Sequence, residues 1–379
     1  MNRTLSGWLV IILALQLVSG CGNLGLSIGV GGRNHAISIN QNIPLNQDNR
    51  GVGGVVEPVN LERLRAKPIS TLYDYWLIDS TAKQTYSPTK LLNDLASRRV
   101  LFIGEYHTHQ ASHKLQLDTI QSLVEGGFQI VLSMEQFSRD SQDTINQYMA
   151  GNYGEETLIE EANAWDNYKG SYRAIIDYAR QNNIPVVAAN APKMIVRCVG
   201  RQGLDAVNRK LSDEQRKWVA SNINLDNPEY QEKFERFLAD AGTSHGQTNE
   251  VMKQRQKNTF AAQLLRDATM AMSIAEAAAQ YPKRLVVHLN GAFHSNNHLG
   301  TVTMLAQYKL AEKSLVISPV TLDEFDANDF ASDKNHKAYQ RGDYVYLIKP
   351  LPQRFIDKDK EMASINKLIR QRMKEQCEL

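Results

Sequence analysis

Apolar runs alternate with amphipathic segments along the chain from about residue 92 onward. Five seven-residue runs are apolar almost throughout, which is typical of strands buried on both faces of a parallel sheet, and four of them end in a polar residue. Segments with the 3.6-residue spacing of helices lie between these runs. The alternation predicts an α/β fold, with a mostly parallel sheet flanked by helices. The predicted strands are Arg99–Glu105, Gln129–Glu135, Ile184–Asn190, Arg284–Asn290 and Ser314–Val320, with Asp343–Ile348 as an edge strand.

The main domain is predicted to cover residues 59–350, and it contains an insertion. A long polar stretch with helical spacing, from about residue 193 to 280, separates the third predicted strand from the fourth. It is expected to form an inserted helical lid subdomain over one end of the sheet. Elsewhere, Ser138 is predicted to be the N-cap of a helix that runs to Met149. Residues 351–379 are predicted to form a charged C-terminal helix.

The N-terminus has the three zones of a secretory signal peptide, predicted at residues 1–20. Arg3 is the positive end, and the apolar stretch Trp8–Val18 is too short to span a bilayer. The sequence Leu17-Val18-Ser19-Gly20-Cys21 resembles the lipobox of bacterial lipoproteins, which implies that Cys21 carries the palmitate-type acyl anchor. The alternative is an ordinary signal peptide with a chance cysteine. Residues 21–58 are rich in Gly and Asn and are predicted to form a tether.

The net charge bears on the class of binding partner, and the cysteine content bears on the redox state of the compartment. The formal net charge of +2 does not indicate binding to the phosphate backbone of a nucleic acid. Once Cys21 is acylated, only Cys198 and Cys377 are left. They could form a disulfide in an oxidising periplasm, or they could be two buried free thiols. No cysteine spacing of the zinc-binding type is present.

Polar residues follow the predicted strands at the points where the strands end. Ligands of open parallel sheets bind outside the carboxyl ends of the strands, so these side chains are expected to converge. Carboxylates and imidazoles together suit a divalent metal ion or general acid–base chemistry. The alternative for any single residue is helix capping or pairing with a lysine. The candidates, for both metal binding and catalysis, are Glu105, His107, Glu135 and His294, accompanied by Asn190 and Asn290.

Several further residues are weaker candidates. His109 and His113 could join the site, or they could cap a helix or face solvent. His288 lies in the middle of a predicted strand and is expected to be a core residue. Asp267 shares a helix face with Gln263 and Met270. That face could look onto the site, or the aspartate could pair with an arginine at the surface. Met270 is expected to be core filler, although a thioether can also ligate haem iron.

Motifs resembling those of the ChaN-like family occur in order between about Leu92 and Ile317. This family is described as haem-binding lipoproteins of iron uptake within the Tiki superfamily. Each motif alone is weak, but their ordered combination is specific. The motifs are Ile103-Gly104-Glu105-Tyr106-His107, His113-Lys114-Leu115-Gln116, Met134-Glu135-Gln136-Phe137-Ser138-Arg139-Asp140, Ala189-Asn190-Ala191-Pro192, Arg266-Asp267-Ala268-Thr269-Met270-Ala271 and Asn290-Gly291-Ala292-Phe293-His294.

The resemblance implies an α/β fold with a helical lid, a homodimer that holds haem, and a strand-end site shared with metal-dependent peptidases. The family often has Asp-Asn directly after the motif histidine, whereas this chain has Thr108-His109. An imidazole there could add a ligand or replace a carboxylate that orients His107. Haem ligation in the family involves tyrosine, and Tyr106 is nearest to the motif. The implied cofactor-binding set is His107, His109, His113, Tyr106, Asn290, His294, Asp267 and Met270.

Two functions follow as hypotheses, and the alternative to both is a non-catalytic envelope scaffold that binds neither haem nor metal. The first is a lipid-anchored envelope protein, held at the outer membrane and facing the periplasm, that binds haem for iron uptake or transport. Its partner would be an outer-membrane haem receptor. The second is a metal-dependent hydrolase or peptidase that uses the Glu and His residues at the strand ends, where a bound divalent ion would activate water. The residues fit both chemistries, so the ordered motifs are what favour haem.

Overall fold

The computed structural model describes residues 68–86, 88–240 and 250–379. The predicted signal peptide, the lipidation site at Cys21 and the predicted tether lie outside the described residues. Within the described residues, eight strands form one sheet in the order β2-β1-β8-β7-β3-β6-β4-β5. The strands are β1 (Tyr75–Asp79), β2 (Gln84–Thr85), β3 (Val100–Glu105), β4 (Ile130–Ser138), β5 (Val186–Asn190), β6 (Leu285–Gly291), β7 (Ser314–Thr321) and β8 (Tyr344–Ile348).

The six strands from β8 to β5 pair in parallel. This confirms the predicted α/β class and the mostly parallel sheet. Every residue of β3 and β6 is buried, because helices cover both faces of the central strands. This burial is why both strands read as continuous apolar runs in the sequence. Their carboxyl ends lie side by side, with Glu105 opposite Gly291.

Two groups of helices, from different parts of the chain, cover the two faces of the sheet. One face packs on helices that come before β5, and the other packs mainly on one long helix of the insertion between β5 and β6. The helices are α1 (Pro88–Leu95), α2 (Gln110–Glu125), α3 (Gln142–Met149), α4 (Glu155–Glu161), α5 (Tyr168–Ser171), α6 (Arg173–Gln181), α7 (Lys193–Gln202), α8 (Leu204–Asn208), α9 (Asp213–Lys217), α10 (Pro228–Asp240), α11 (Glu250–Gln280), α12 (Thr301–Met304), α13 (His336–Tyr339) and α14 (Lys358–Lys374).

The predicted helix start at Ser138 is wrong. Strand β4 continues to Ser138, a short 3-10 turn follows, and helix α3 begins at Gln142. The register between β4 and β5 shifts between Met134 and Ser138, so the strand accommodates a bulge near the site. Strands β1 and β2 were not predicted, because both belong to an antiparallel edge and β2 has only two residues.

The C-terminal tail is attached to the inserted helices. Cys198 of α7 and Cys377 form a disulfide with a Cα–Cα distance of 5.3 Å, so pairing, and not two free thiols, is what the structure shows. Nearby, the carboxylate of Glu375 forms an ion pair of 2.5 Å with Arg197. Of the helices in the described part of the chain, none is long and apolar enough to cross a membrane.

Candidate functional site

A buried carboxylate ends strand β3. The Oε1 atom of Glu105 accepts hydrogen bonds from His107 Nδ1 at 2.7 Å, Tyr172 OH at 2.6 Å and Gln136 Nε2 at 3.2 Å. Its Oε2 atom accepts one from Gln116 Nε2 at 2.6 Å. The residue is only 1% exposed, so this ring of donors replaces the water that a carboxylate would otherwise bind.

The same surroundings keep Glu105 ionised. Burial alone raises the pKa of Glu105, but the positive charge of His113 and the hydrogen bond from His107 outweigh burial and lower that pKa to about 2. His113 Nδ1 lies 3.6 Å from Oε2. The Tyr172 hydroxyl has a pKa well above its usual range, first because it is buried and then because Glu105 is negative, so it stays a donor. The end of β3 is therefore a fixed negative charge.

His107 lies where the two halves of the site meet. Its side chain is 24% exposed, and its ring meets the indole of Trp165 edge-on with 4.9 Å between ring centroids. The other side of the ring lies against Gly291, because a Cβ atom added there would come within 2.7 Å of Nε2. Only a glycine at the end of β6 allows this approach. Glu135 Oε2 lies 3.5 Å from the same added Cβ, so the imidazole and this second carboxylate both lie close to Gly291. The positive charge of His107 also lowers the pKa of Glu135.

Glu135 is the second buried carboxylate. Its Oε2 atom accepts a hydrogen bond of 2.5 Å from the backbone N–H of Gly291, and its Oε1 atom lies 3.4 Å from His294 Nε2. Burial alone raises the pKa of Glu135, but the charge and hydrogen bond of His294, helped by His107 and the Gly291 N–H, hold it far below its usual range. The carboxylate is therefore an anion at neutral pH, with 1% exposure.

His294 is held from its other side by Asp267. Its Nδ1 atom donates to Asp267 Oδ1 over 2.8 Å, and Thr301 Oγ1 donates to the same oxygen at 2.8 Å. Tyr230 OH donates to Asp267 Oδ2 at 2.8 Å, and the Gln263 amide donates to that hydroxyl at 3.0 Å. Of the two sequence-based alternatives for Asp267, the structure shows the one in which it faces the site.

The arrangement is a row of alternating carboxylates and imidazoles across the sheet edge. In order, its members are Glu105, His107, Glu135, His294 and Asp267. A carboxylate faces each ring nitrogen of His294, and the doubly protonated ring is the form that has a proton for both. The row can therefore hold and move protons in a site that is almost closed to water.

The predicted ligands of a divalent metal ion do not form one cluster in the described residues. Among the residues that the structure describes, no group of three or more His, Cys, Asp and Glu side chains is arranged to hold a metal ion. The reason lies in the pleat of the strands, which sends alternate residues to opposite faces. By this alternation Glu105 belongs to the face of β3 that packs against α2, whereas Glu135 belongs to the face of β4 that packs against α11. The two carboxylates therefore lie on opposite faces of the sheet. The imidazoles between them also direct ring nitrogens at carboxylates, as an acid–base row requires.

The remaining predicted residues take different positions. His109 is fully buried and caps α2: its Nδ1 atom accepts from Ala111 N at 3.2 Å and its Nε2 atom donates to Lys349 O at 2.7 Å. Burial lowers the pKa of His109, which favours this neutral form. Asn290 is buried and donates to Ser295 Oγ at 3.0 Å. Met270 is completely buried, as expected for a core residue. His288 is a core histidine, as predicted.

Sequence reasoning missed several residues that hold the row in place. Tyr172 and Gln136 bond to Glu105, and Tyr230 and Thr301 bond to Asp267. The motif that ends in Gln116 contained a usable signal, because Gln116 lies one turn after His113 on the same helix. No local pattern marks either tyrosine, because each reaches the site from a segment distant in the sequence: Tyr172 from the turn between α5 and α6, and Tyr230 from α10.

Comparisons with known proteins agree with the fold. The family model described as "Haem-binding uptake, Tiki superfamily, ChaN" matches residues 91–305, which is more than half of the chain. The chain belongs to this family, which is the class of haem-binding proteins that includes ChaN. The resemblance read from the ordered motifs is thereby confirmed.

A solved structure and a plant protein are the two most informative relatives. The structure, described as cofacial haem binding to ChaN of Campylobacter jejuni, has a TM-score of 0.55 and 14% identity, and the match covers 75% of this chain and 100% of that one. At this identity the likeness shows the fold alone. The chloroplastic protein RETICULATA-RELATED 5 of Arabidopsis thaliana is 24% identical over 155 residues, which cover 39% of this chain and 20% of that protein. The chain thus spans about a fifth of this relative's length.

Proposed function

We propose that this protein is a lipid-anchored envelope protein that binds haem for iron uptake or transport. Membership of the haem-binding family over residues 91–305 is the observation that carries the proposal. Haem supplies an iron that takes an axial ligand from the protein, typically an imidazole, a thiolate or a phenolate. The proposal therefore needs a donor that an incoming haem can reach.

Two of the candidate donors meet that requirement. Tyr106 and His107 are both partly exposed, whereas His294 is 3% exposed, and Met270 is fully enclosed. Arg341 Nη1 donates a hydrogen bond of 3.3 Å to the Tyr106 hydroxyl. Burial raises the pKa of Tyr106 more than the Arg341 charge lowers it, so the hydroxyl keeps its proton in the haem-free protein and would lose it on binding iron. Tyr106 would hold the iron, and His107 is the alternative donor.

A haemin titration tests this proposal. The purified protein is expected to shift the Soret band and to saturate at a fixed stoichiometry. Tyr106→Phe should weaken binding by at least tenfold and remove the phenolate charge-transfer band, while His107→Ala should keep that band. Tyr73→Phe is the matched control, because Tyr73 is 60% exposed. Unsaturable binding by the parent protein would contradict the proposal.

The envelope location is part of the same proposal. Acylation of Cys21 would hold the protein at the outer membrane facing the periplasm, where an outer-membrane haem receptor and a second copy of the chain would be its partners. The Cys198–Cys377 disulfide supports an oxidising compartment. Labelling with radioactive palmitate in cells should mark the parent protein and not Cys21→Ser. If neither the parent protein nor Cys21→Ser is labelled, the proposed lipid anchor at Cys21 is contradicted.

A second candidate function rests on the buried row. The family match does not favour this second function. The observation that supports it is the row of three carboxylates and two imidazoles, because haem binding does not require such a row. We propose metal-independent hydrolysis of an acyl compound. His107, the partly exposed member of the row, would take a proton from water, whose oxygen bonds to the acyl carbon, and would return the proton to the leaving oxygen as its bond to carbon breaks. Glu135, held by His294 and through it by Asp267, would stabilise the protonated His107 ring.

An esterase assay separates this candidate from background. With p-nitrophenyl butyrate as the probe, the parent protein is expected to hydrolyse the ester at least a hundredfold faster than Glu135→Gln. Glu361→Gln is the matched control, because Glu361 is exposed on α14. Equal rates for the parent protein and Glu135→Gln would remove hydrolysis of such esters from consideration and would leave the haem proposal intact.

A further inference from the structure

Helix α10 contributes two contacts to the half of the site that contains His294. The Tyr230 hydroxyl donates to Asp267 Oδ2 at 2.8 Å. One turn later, Lys233 Nζ donates to the backbone oxygens of Phe293 at 3.0 Å and Asn296 at 2.8 Å. These two carbonyls flank His294 in the chain. Helix α10 is therefore hydrogen-bonded both to Asp267, which orients His294, and to the turn that contains His294.

The backbone of the turn after β6 has an unfavourable conformation that needs contacts from outside the turn. It consists of two short 3-10 turns, and Asn297 and His298 have φ angles of 64° and 57°, which non-glycine residues adopt at a cost. Gly300, with φ of 60°, brings its Cα so near that an added Cβ would lie 2.6 Å from His294 O. A turn in such a conformation keeps its shape only where surrounding contacts hold it.

Lys233 supplies two of those contacts. Its Nζ atom lies 4.8 Å from the centroid of Phe293 and 5.7 Å from that of Tyr230. Burial lowers the pKa of Lys233 to about 7, and the negative charge of Asp267 opposes that shift. In its protonated form the side chain is a charge-assisted donor to both carbonyls and lies against the aromatic rings. The aromatic rings of Phe234, Phe237 and Phe260 extend this packing between α10, α11 and the turn.

We propose that Tyr230 and Lys233 are positioning residues that hold His294 with Nδ1 on Asp267 and Nε2 towards Glu135. Tyr230 fixes the carboxylate that receives the Nδ1 proton, and Lys233 fixes the backbone on either side of the imidazole. This inference rests on the acid–base function proposed above, which it deepens. Neither residue touches a reacting atom.

The imidazole proton itself reports the positioning, without any substrate. In the parent protein the His294 Nδ1 proton is expected as a downfield NMR resonance that exchanges slowly with water, because the ring is buried and bonded to Asp267. It is assigned by its absence from His294→Gln. Tyr230→Phe and Lys233→Met should each speed its exchange at least tenfold, and Lys233→Arg should restore much of the protection.

Matched controls separate positioning from general loosening of the fold. Tyr308→Phe and Lys253→Met change exposed residues of the same types and should leave the His294 proton unchanged. The backbone amide of Leu289 in β6 should keep its protection in all variants, since global destabilisation would accelerate that amide as well. The proposal is overturned if exchange of the His294 proton is unaffected, or if it accelerates only in step with Leu289. Either result is independent of whether the protein hydrolyses esters.

Discussion

Gly291→Ala is the sharpest test of the site geometry. The added Cβ would lie 2.6 Å from His107 Cε1 and 2.7 Å from His107 Nε2, distances that real Cβ atoms do not tolerate. The nearest carboxylate atom, Glu135 Oε2, is 3.5 Å away and would be in ordinary contact. The imidazole is therefore the group that must move, and it can do so because its side chain is 24% exposed.

The size of the effect follows from what the displaced ring loses. A charge-assisted hydrogen bond such as the one from His107 to Glu105 contributes about 1.5–3 kcal/mol. Glu105 keeps its donors Tyr172, Gln116 and Gln136, so it does not become an unpaired buried charge. Gly291→Ala is accordingly expected to lower the free energy of unfolding by about 1–3 kcal/mol, within the usual range for overpacking.

A double-mutant cycle with His107→Ala checks the cause. Urea unfolding followed by circular dichroism gives the free energy of unfolding of the parent, both single variants and the double variant. In the His107→Ala background the ring is gone, so Gly291→Ala should cost less than about 0.5 kcal/mol. Gly170→Ala, where an added Cβ meets nothing within 4 Å, is the control. An equal cost of Gly291→Ala in both backgrounds would refute the reasoning.

Three further predictions follow from the same structure. The pKa of Glu105 is about 2 in the folded protein and 4.5 ordinarily, so its carboxylate stabilises the folded state above pH 4.5. The difference in the free energy of unfolding between the parent and Glu105→Gln should fall by roughly 3 kcal/mol as the pH drops from 4.5 towards 2. Urea unfolding measures this difference, and a difference that does not change with pH would contradict the prediction. Reduction of the Cys198–Cys377 disulfide, which closes a loop across 179 residues, should destabilise the protein by about 2–5 kcal/mol, seen as a lower Tm with dithiothreitol, whereas Cys198→Ser should show no response to the reductant. Gly300→Ala should cost about 1–3 kcal/mol because both the φ of 60° and the contact with His294 O oppose a Cβ, and an unchanged Tm would argue against the described turn.

The central sheet was predictable because its signal is local. A strand that is buried on both faces must be apolar over its whole length, so β3, β4, β5, β6 and β7 each appear as a run in the sequence. The polar ends of those runs then identified Glu105 and Glu135. The edge strands β1 and β2 have no such signal, because short antiparallel strands at an edge do not need a continuous apolar run.

The roles of the histidines depended on contacts that no local pattern contains. His109 and His107 are two residues apart and look alike in the sequence. His109 is a helix cap because its Nε2 atom reaches Lys349 O, 240 residues away. His107 belongs to the site because Gly291 leaves room for its ring. Likewise, Asp267 faces the interior because Tyr230 and His294 meet it there, and not an arginine at the surface.

The amino-acid sequence by itself therefore determined the α/β class, the positions of the buried strands along the chain and the family to which the chain belongs. Each of these depends on burial or on residue order, and both are written along the chain. The tertiary structure alone decided which polar side chains pair, because hydrogen bonds join atoms that are distant in sequence and tolerate errors of only a few tenths of an ångström. It is this pairing that turns Glu105, His107, Glu135, His294 and Asp267 into one row.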